Sequence, residues 1–356
     1  MGEAVLVFPA GMPEGLAYRD RAKAMGLRVV GASSLERDPA EGGYETWEHL
    51  PYVNDPGFDD ALAEVLRRHE VNTVFAPHYI VWKHLAERIG QIAPGARLTG
   101  GAKPQDNERA YRDLRERLAT MRAPCFWPAM AGKPPLTPLE RAGLVRLVDA
   151  IPGMCGEEKM IAVMEALRHA PAGDVVEIGS WWGRSAALFV WLARRYGVGK
   201  VLCVDPWQVE ALMQGEPMVD AASAEQDTEE ALRIFEINLA ALAQGDLNYI
   251  RAASVEGAAR YRGSPTVTTQ AFGETRYEGR IAVLHIDGNH AEPSVAADAA
   301  AWTPLVVPGG WIIFDDYDWA FGDGVKRVAD AFITAKADSI ACHFMGGPAM
   351  FVQLKR

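Results

Sequence analysis

The chain has 356 residues, more than one compact core usually spans, so two domains are expected. Its apolar content, 49%, is that of a globular protein, and its formal net charge of -11 argues against a nucleic-acid surface while admitting a cationic ligand or a metal. The four cysteines, Cys125, Cys155, Cys203 and Cys342, form neither CxxC nor Cys/His zinc spacing, which points to a reducing cytoplasm; the N-terminus lacks a basic signal region, and runs such as SAALFVWLA are too short to span a bilayer.

In chain order, AVLVF (4–8), the helical GLAYRDRAKAMG and LRVVGAS (27–33) give a strand–helix–strand pattern, repeated by FDDALAEVLRRHE (58–70) and VNTVFAPH (71–78). Residues 1–100 therefore predict a small Rossmann-like α/β domain. Residues 101–150 change character, from a charged helix to the Pro-rich PCFWPAMAGKPPLTP and a helix near 137–150, and are expected as a linker. A helix near 156–170 opens the second domain, 151–356. Strands follow at 174–180, 200–207, 247–254, 281–288 and 309–318, with helices between them and an antiparallel pair at 342–354. PTVTTQAFGETRYEGR predicts a surface hairpin. The segment 210–227 has weak structural signals, and DYDWAFGDG after the fifth strand is a candidate aromatic lid.

The first strand of this domain ends in VVEIGSWWGRS (175–185), where Gly179 and Gly183 permit a tight turn and close approach of a ligand. No GxGxxG fingerprint is present, and Ser180, Trp181 and Trp182 put bulk where a pyrophosphate would sit. A nucleoside without phosphates fits better. Asp205 ends the next strand, where an acid can accept two hydrogen bonds from a ribose.

ExGxxxG followed by VDPW, HIDGNH and PGGWIIFDDYD resembles the class I S-adenosylmethionine-dependent methyltransferases, and more narrowly the metal-dependent sugar O-methyltransferases of the macrocin and mycinamicin type. The resemblance covers residues 150–356 and implies a methyltransferase sheet with a closing antiparallel strand. It places Glu177, Gly179, Ser180, Trp181, Gly183 and Ser185 around the methionine part of S-adenosylmethionine. It further assigns Asp205 to the ribose, Trp207 and Ser254 to the adenine, and Asp287 to the cofactor edge. In such a sheet Asp287, Asp315 and Asp316 end neighbouring strands, and three carboxylates crowded together call for a raised pKa or a cation. Oxygen ligands without thiolate favour Mg2+ or another divalent cation. The resemblance gives His290 the role of base and makes Asp287 the second catalytic residue, and imidazole suits proton transfer near neutral pH. His285 faces away from Leu284 and Ile286 and is expected to be structural.

The N-terminal 100 residues resemble, in pattern only, the small α/β domain preceding ATP-grasp cores; they suggest a recognition or dimerisation module, which leaves a homo-oligomer open. The expected partner is a hydroxylated small molecule, with no nucleic acid and no membrane. Two other readings stay open: a metal-free N- or O-methyltransferase, and a non-catalytic nucleotide-sensing scaffold.

Overall fold

Short β-branched runs alternating with helices build the first unit, Met1–Leu114 of the computed structural model, in which residues 3–101 and 103–356 are described. Its elements are β1 (Ala4–Val7), α1 (Pro13–Ala24), β2 (Arg28–Ser33), β3 (Thr46–His49), α2 (Phe58–Arg68), β4 (Thr73–Ala76), α3 (Tyr79–Ile92) and β5 (Arg97–Gly100), with α4 (Pro104–Thr120) crossing the unit boundary. The sheet is wholly parallel, in the order β3-β2-β1-β4-β5. Helix α2 shows why these segments fold as they do. Phe58, Leu62, Val65 and Leu66 fall on one buried stripe, with acids in the first turn and arginines in the last to oppose the helix dipole.

The second unit, Arg115–Arg356, contains α5 (Pro138–Asp149), α6 (Glu157–Arg168), β6 (Asp174–Ile178), α7 (Arg184–Tyr196), β7 (Val201–Asp205), α8 (Val209–Leu212), α9 (Pro217–Ala224), α10 (Thr228–Ala243) and β8 (Leu247–Arg251). Then come α11 (Ser254–Gly263), β9 (Thr266–Thr269), β10 (Gly273–Arg276), β11 (Ile281–Ile286), α12 (Glu292–Trp302), β12 (Val306–Phe314), α13 (Gly324–Ala335), β13 (Ile340–Gly346) and β14 (Ala349–Leu354). The stretch expected as a linker, 101–150, is thus divided at 114/115. Helix α5 within it carries a complete Thr137/Glu140 capping box and buries Leu144, Val145 and Val148.

The second sheet has the order β13-β14-β12-β11-β6-β7-β8, parallel from β12 to β8, with β14 antiparallel to both neighbours. This is an open α/β sheet with the closing antiparallel strand that the sequence resemblance implies. The hairpin β9–β10 forms where turn chemistry predicts it. The strand order reverses direction between β6 and β11, and ligands of open α/β sheets bind at that switch point, outside the carboxyl ends.

Both faces of the sheet are covered, so both are buried. Val176, Ile178, Leu284, Ile286, Ile312 and Phe314 join Tyr261, Trp302 and Ala329 of the helices in one apolar cluster. Side chains alternate along a strand, so Glu177, His285 and Asp315 belong to the opposite face. Glu177 and His285 are register partners, and the Phe189 ring of α7 lies 5.1 Å from the His285 ring. Helix α6 is buried almost all round, from Lys159 to Met164. Period-2 alternation has therefore gathered a carboxylate, an imidazole and a second carboxylate on one buried face, and α6 adds an ammonium.

Candidate active site

The carboxyl ends of β6, β7, β11 and β12 meet at the switch point. Gly179, at φ +79°, lies so close to the strand-end backbone of β11 that a Cβ there would come within 2.0 Å of the Asp287 carbonyl oxygen. The Asp287 N–H donates to the Ile178 carbonyl at 2.8 Å, locking the two strand ends together. Trp181, Trp207 and Asp316 adopt positive φ of 44°, 43° and 52°. Such conformations cost roughly 1–3 kcal/mol each in a residue with a side chain, and they gather at sites where surrounding structure imposes them. All three lie just beyond the ends of β6, β7 and β12.

Several expected ligand contacts are occupied by the protein itself. Asp205 accepts the N–H groups of Ser180 (2.9 Å), Trp181 (3.0 Å) and Trp207 (2.7 Å). Burial, only partly opposed by these bonds, raises its pKa. These three bonds shape the turn, and Asp205 remains partly exposed at the strand end. Trp207 is 1% exposed, donates its indole N–H to the Trp181 carbonyl and packs on Phe235 and Tyr249, so it anchors the turn and presents no face to an adenine. Glu177 is fully buried and does not line an open cleft. Burial pushes its pKa up, but the His285 ring, 3.2 Å away, outweighs this and leaves it lowered.

Other expected residues stay near the turn. Ser180 and Ser185 are buried, Ser185 in the first turn of α7. Gly183, at φ +85°, caps α7, where a Cβ would press on Leu239 and Phe235. The rings of Trp181 and Trp182 stack at 5.8 Å and are half-buried. Ser254 opens α11, and its hydroxyl accepts the Trp302 indole N–H at 2.9 Å. Asp298 is buried beside it, and desolvation pushes its carboxyl up to about 6.

The three predicted metal ligands do not converge on one point. Asp315 turns inward: its Oδ2 bonds the Lys159 ammonium and lies 3.3 Å from His285 Nε2, while its Oδ1 accepts the Asp316 N–H at 3.0 Å. Asp316 turns outward, with Oδ2 3.2 Å from His290 Nε2. Asp287 stands between them, 3.6 Å from Lys159 and 3.7 Å from His285. Two donor sets result, His285–Asp287–Asp315 within and Asp287–His290–Asp316 at the opening, the donor atoms of each lying within 4.8 Å of one another. The inner set does not fit a divalent ion, because an ammonium already sits on it. The outer set fits one. Its side chains are partly exposed, and burial together with the Asp287 charge raises the Asp316 pKa, as expected of carboxylates short of positive charge.

His290 is held in a defined orientation. Its ring meets Trp319 edge-on at 4.5 Å, and its Nδ1 is buried without a hydrogen-bond partner. Trp319, from the segment DYDWAFGDG expected as a candidate lid, thus packs against the His290 ring. Asn289 donates to the carbonyls of Ala211 (3.0 Å) and Met213 (2.7 Å), pinning the segment 210–227 beside the opening. Lys159 escaped prediction. Its signal is a lysine within a helix apolar on all sides, which requires a buried acid. Burial alone would lower its pKa, but Asp287 and the neighbouring Cys155, Asp316 and Glu177 outweigh that and raise it.

Residues 176–317 match the family profile described as a methyltransferase domain. The matched stretch runs from β6 to just beyond β12, the strands whose ends form the site. The chain is similar to the O-methyltransferase NovP, at 20% identity and a TM-score of 0.43, over 57% of this chain and 82% of that one. It is also similar to CalS11, a TDP-rhamnose 3'-O-methyltransferase of calicheamicin biosynthesis (14%, 0.35, 71% and 95%). A third similar structure is the MycE methyltransferase of the mycinamycin pathway in complex with Mg and SAH (15%, 0.30, 78% and 61%). No curated protein matches the chain. Among the described residues no helix is long and apolar enough to cross a membrane.

Proposed function

We propose that the enzyme methylates a hydroxyl oxygen of a sugar-like or glycosylated small molecule, with His290 as the general base. One observation carries this reading: His290 is braced through Nε2 by Asp316 while its Nδ1 has no partner, beside Asp287 at the switch point. That is the geometry of an oriented base: a partly exposed carboxylate fixes the imidazole at the opening, and no other hydrogen bond competes for the ring.

The donor chemistry of the cleft suits a cationic cofactor. Asp287 and Asp316 present partly exposed carboxylates at the opening, and no glycine-rich phosphate cradle accompanies them. S-Adenosylmethionine supplies a methyl group on a cationic sulfur, the O–CH3 bond forming as the S–CH3 bond breaks. The strained turn at Trp181 and the acids Asp287 and Asp316 hold and neutralise the positive charge. The His290 imidazole takes the hydroxyl proton, and Asp316 stabilises the imidazolium that forms. Trp319 and the segment pinned by Asn289 exclude water from that proton transfer. A divalent cation would be held by Asp287 and Asp316, where it would lower the pKa of a bound hydroxyl.

Calorimetry with S-adenosylhomocysteine, followed by assay of labelled methyl transfer to hydroxylated glycosides, tests this reading. Saturable cofactor binding with ether formation is expected. No binding with or without Mg2+ would overturn it, as would transfer only to nitrogen.

A further inference from the structure

The mechanism above makes no use of Lys159, yet this is the most deeply enclosed cation of the acidic cleft. Its side chain is 1% exposed, its ammonium bonds Asp315 Oδ2, and Asp287 Oδ2 lies 3.6 Å away. His285, wholly buried, aims Nε2 at the same two oxygens, 3.3 and 3.7 Å off, and makes no hydrogen bond through that nitrogen. Its other nitrogen is fixed by Glu177. One imidazole nitrogen and two carboxylate oxygens therefore converge as a donor set that could hold a metal ion, and the lysine nitrogen reaches the same oxygens.

We propose that the Lys159 ammonium is a built-in cation filling the inner of two positions in this cleft, so that Asp315 ligates no metal and a divalent ion reaches only Asp287 and Asp316. The Asp315 carboxylate supports this division. With Oδ2 on Lys159 and Oδ1 on the Asp316 N–H, it is committed on both oxygens and is 5% exposed, whereas Asp287 and Asp316 keep 24% and 23%. A lysine serving only to neutralise a buried acid would not account for the orphaned His285 nitrogen. A lysine standing in for a metal does, because imidazole would be the third ligand of the ion that the ammonium displaces. Lys159 is thus a positioning residue. It fixes the orientation of Asp315, and through it the backbone of Asp316, whether or not an ion is bound outside. Only the outer ion rests on the function proposed above.

Mn2+ is the probe, with the ions bound per chain counted by calorimetry and electron paramagnetic resonance. Lys159→Met removes the charge and keeps the bulk. The variant is expected to bind one Mn2+ more than the wild type and to gain thermal stability from Mn2+ that the wild type does not. An unchanged count would overturn the proposal. Should Lys159→Met fail to fold, wild-type crystals soaked in Mn2+ decide the matter by anomalous scattering. Absence of a peak at ligating distance from the Asp315 carboxylate is expected, and a peak there refutes the assignment. A wild type that binds no Mn2+ would remove the outer ion from the proposed function and leave the Lys159 assignment standing on the variant's count.

Discussion

The inner and outer halves of the acidic cleft hold the same kinds of side chain in opposite environments. Inside, Asp315, His285 and Glu177 are dry and closed by the ammonium of Lys159. Outside, Asp316 and His290 border the opening, with Asp287 shared between the halves. The difference teaches that an acidic cluster at a strand end need not be one site. Burial decides which carboxylates are held for structure and which are left for chemistry. A dry carboxylate must carry its counter-charge permanently, whereas a wet one can wait for a ligand.

Breaking the inner half should cost the most. Lys159→Met leaves Asp315 as an uncompensated buried anion, so a loss of about 3–5 kcal/mol in unfolding free energy is expected. Chemical denaturation measures it, and adding Asp315→Asn should recover most of the loss. A change below about 1 kcal/mol would mean that the pair is not buried as described. The outer half should respond in the other sense. His290→Ala is expected to lower the turnover rate roughly 10²–10⁴-fold while leaving cofactor affinity and unfolding free energy nearly unchanged. A large stability loss with an intact rate would reverse the assignment of the two halves.

Another acid sharpens the contrast because it is buried and, among the described residues, has no salt-bridge partner. Asp298 has its carboxyl pushed up to about 6 by desolvation, above the value of about 3.9 expected in the unfolded chain. The folded state therefore holds a proton that the unfolded state has already released. The stability this contributes is present below pH 4 and is lost as the pH rises through about 6. Asp298→Asn should stabilise the protein by about 1–3 kcal/mol at pH 8 and by little at pH 4. Parallel pH profiles of wild type and variant would disprove this account.

Much of this was legible in the sequence, for stated physical reasons. The strand IAVLHI announced itself as a run of apolar residues too short for a helix, and Asp287 and Asp315 follow their strands because a parallel sheet ends at a ligand edge. Edge strands β3 and β5, TWEH and RLTG, are too polar and too short to show a period. The parity of Glu177 and His285 was readable, but their pairing depends on register, which no single strand reveals. Asp205 and Trp207 carry suitable chemistry for a nucleoside, yet the tight turn also uses both to hold itself together. Lys159 is separated from Asp315 by most of the domain, so only the fold could bring the two together.

The smallest expected effect concerns how the outer half is closed. Helices α8 and α9 bury no residue fully, and their segment is tied to the cleft by the two hydrogen bonds from Asn289. Each such bond contributes about 0.5–1.5 kcal/mol net. Asn289→Ala should therefore raise the local opening of residues 209–224 by roughly 5- to 150-fold, seen as faster amide hydrogen exchange there. Exchange in β6 and β11, governed by the inner half, should not change. The Michaelis constant should rise a few-fold with the turnover rate nearly constant, because the segment excludes water and holds no reacting atom. If exchange accelerates in the strands as well, Asn289 supports the sheet edge itself, and the two halves are coupled more tightly than their separate burial indicates.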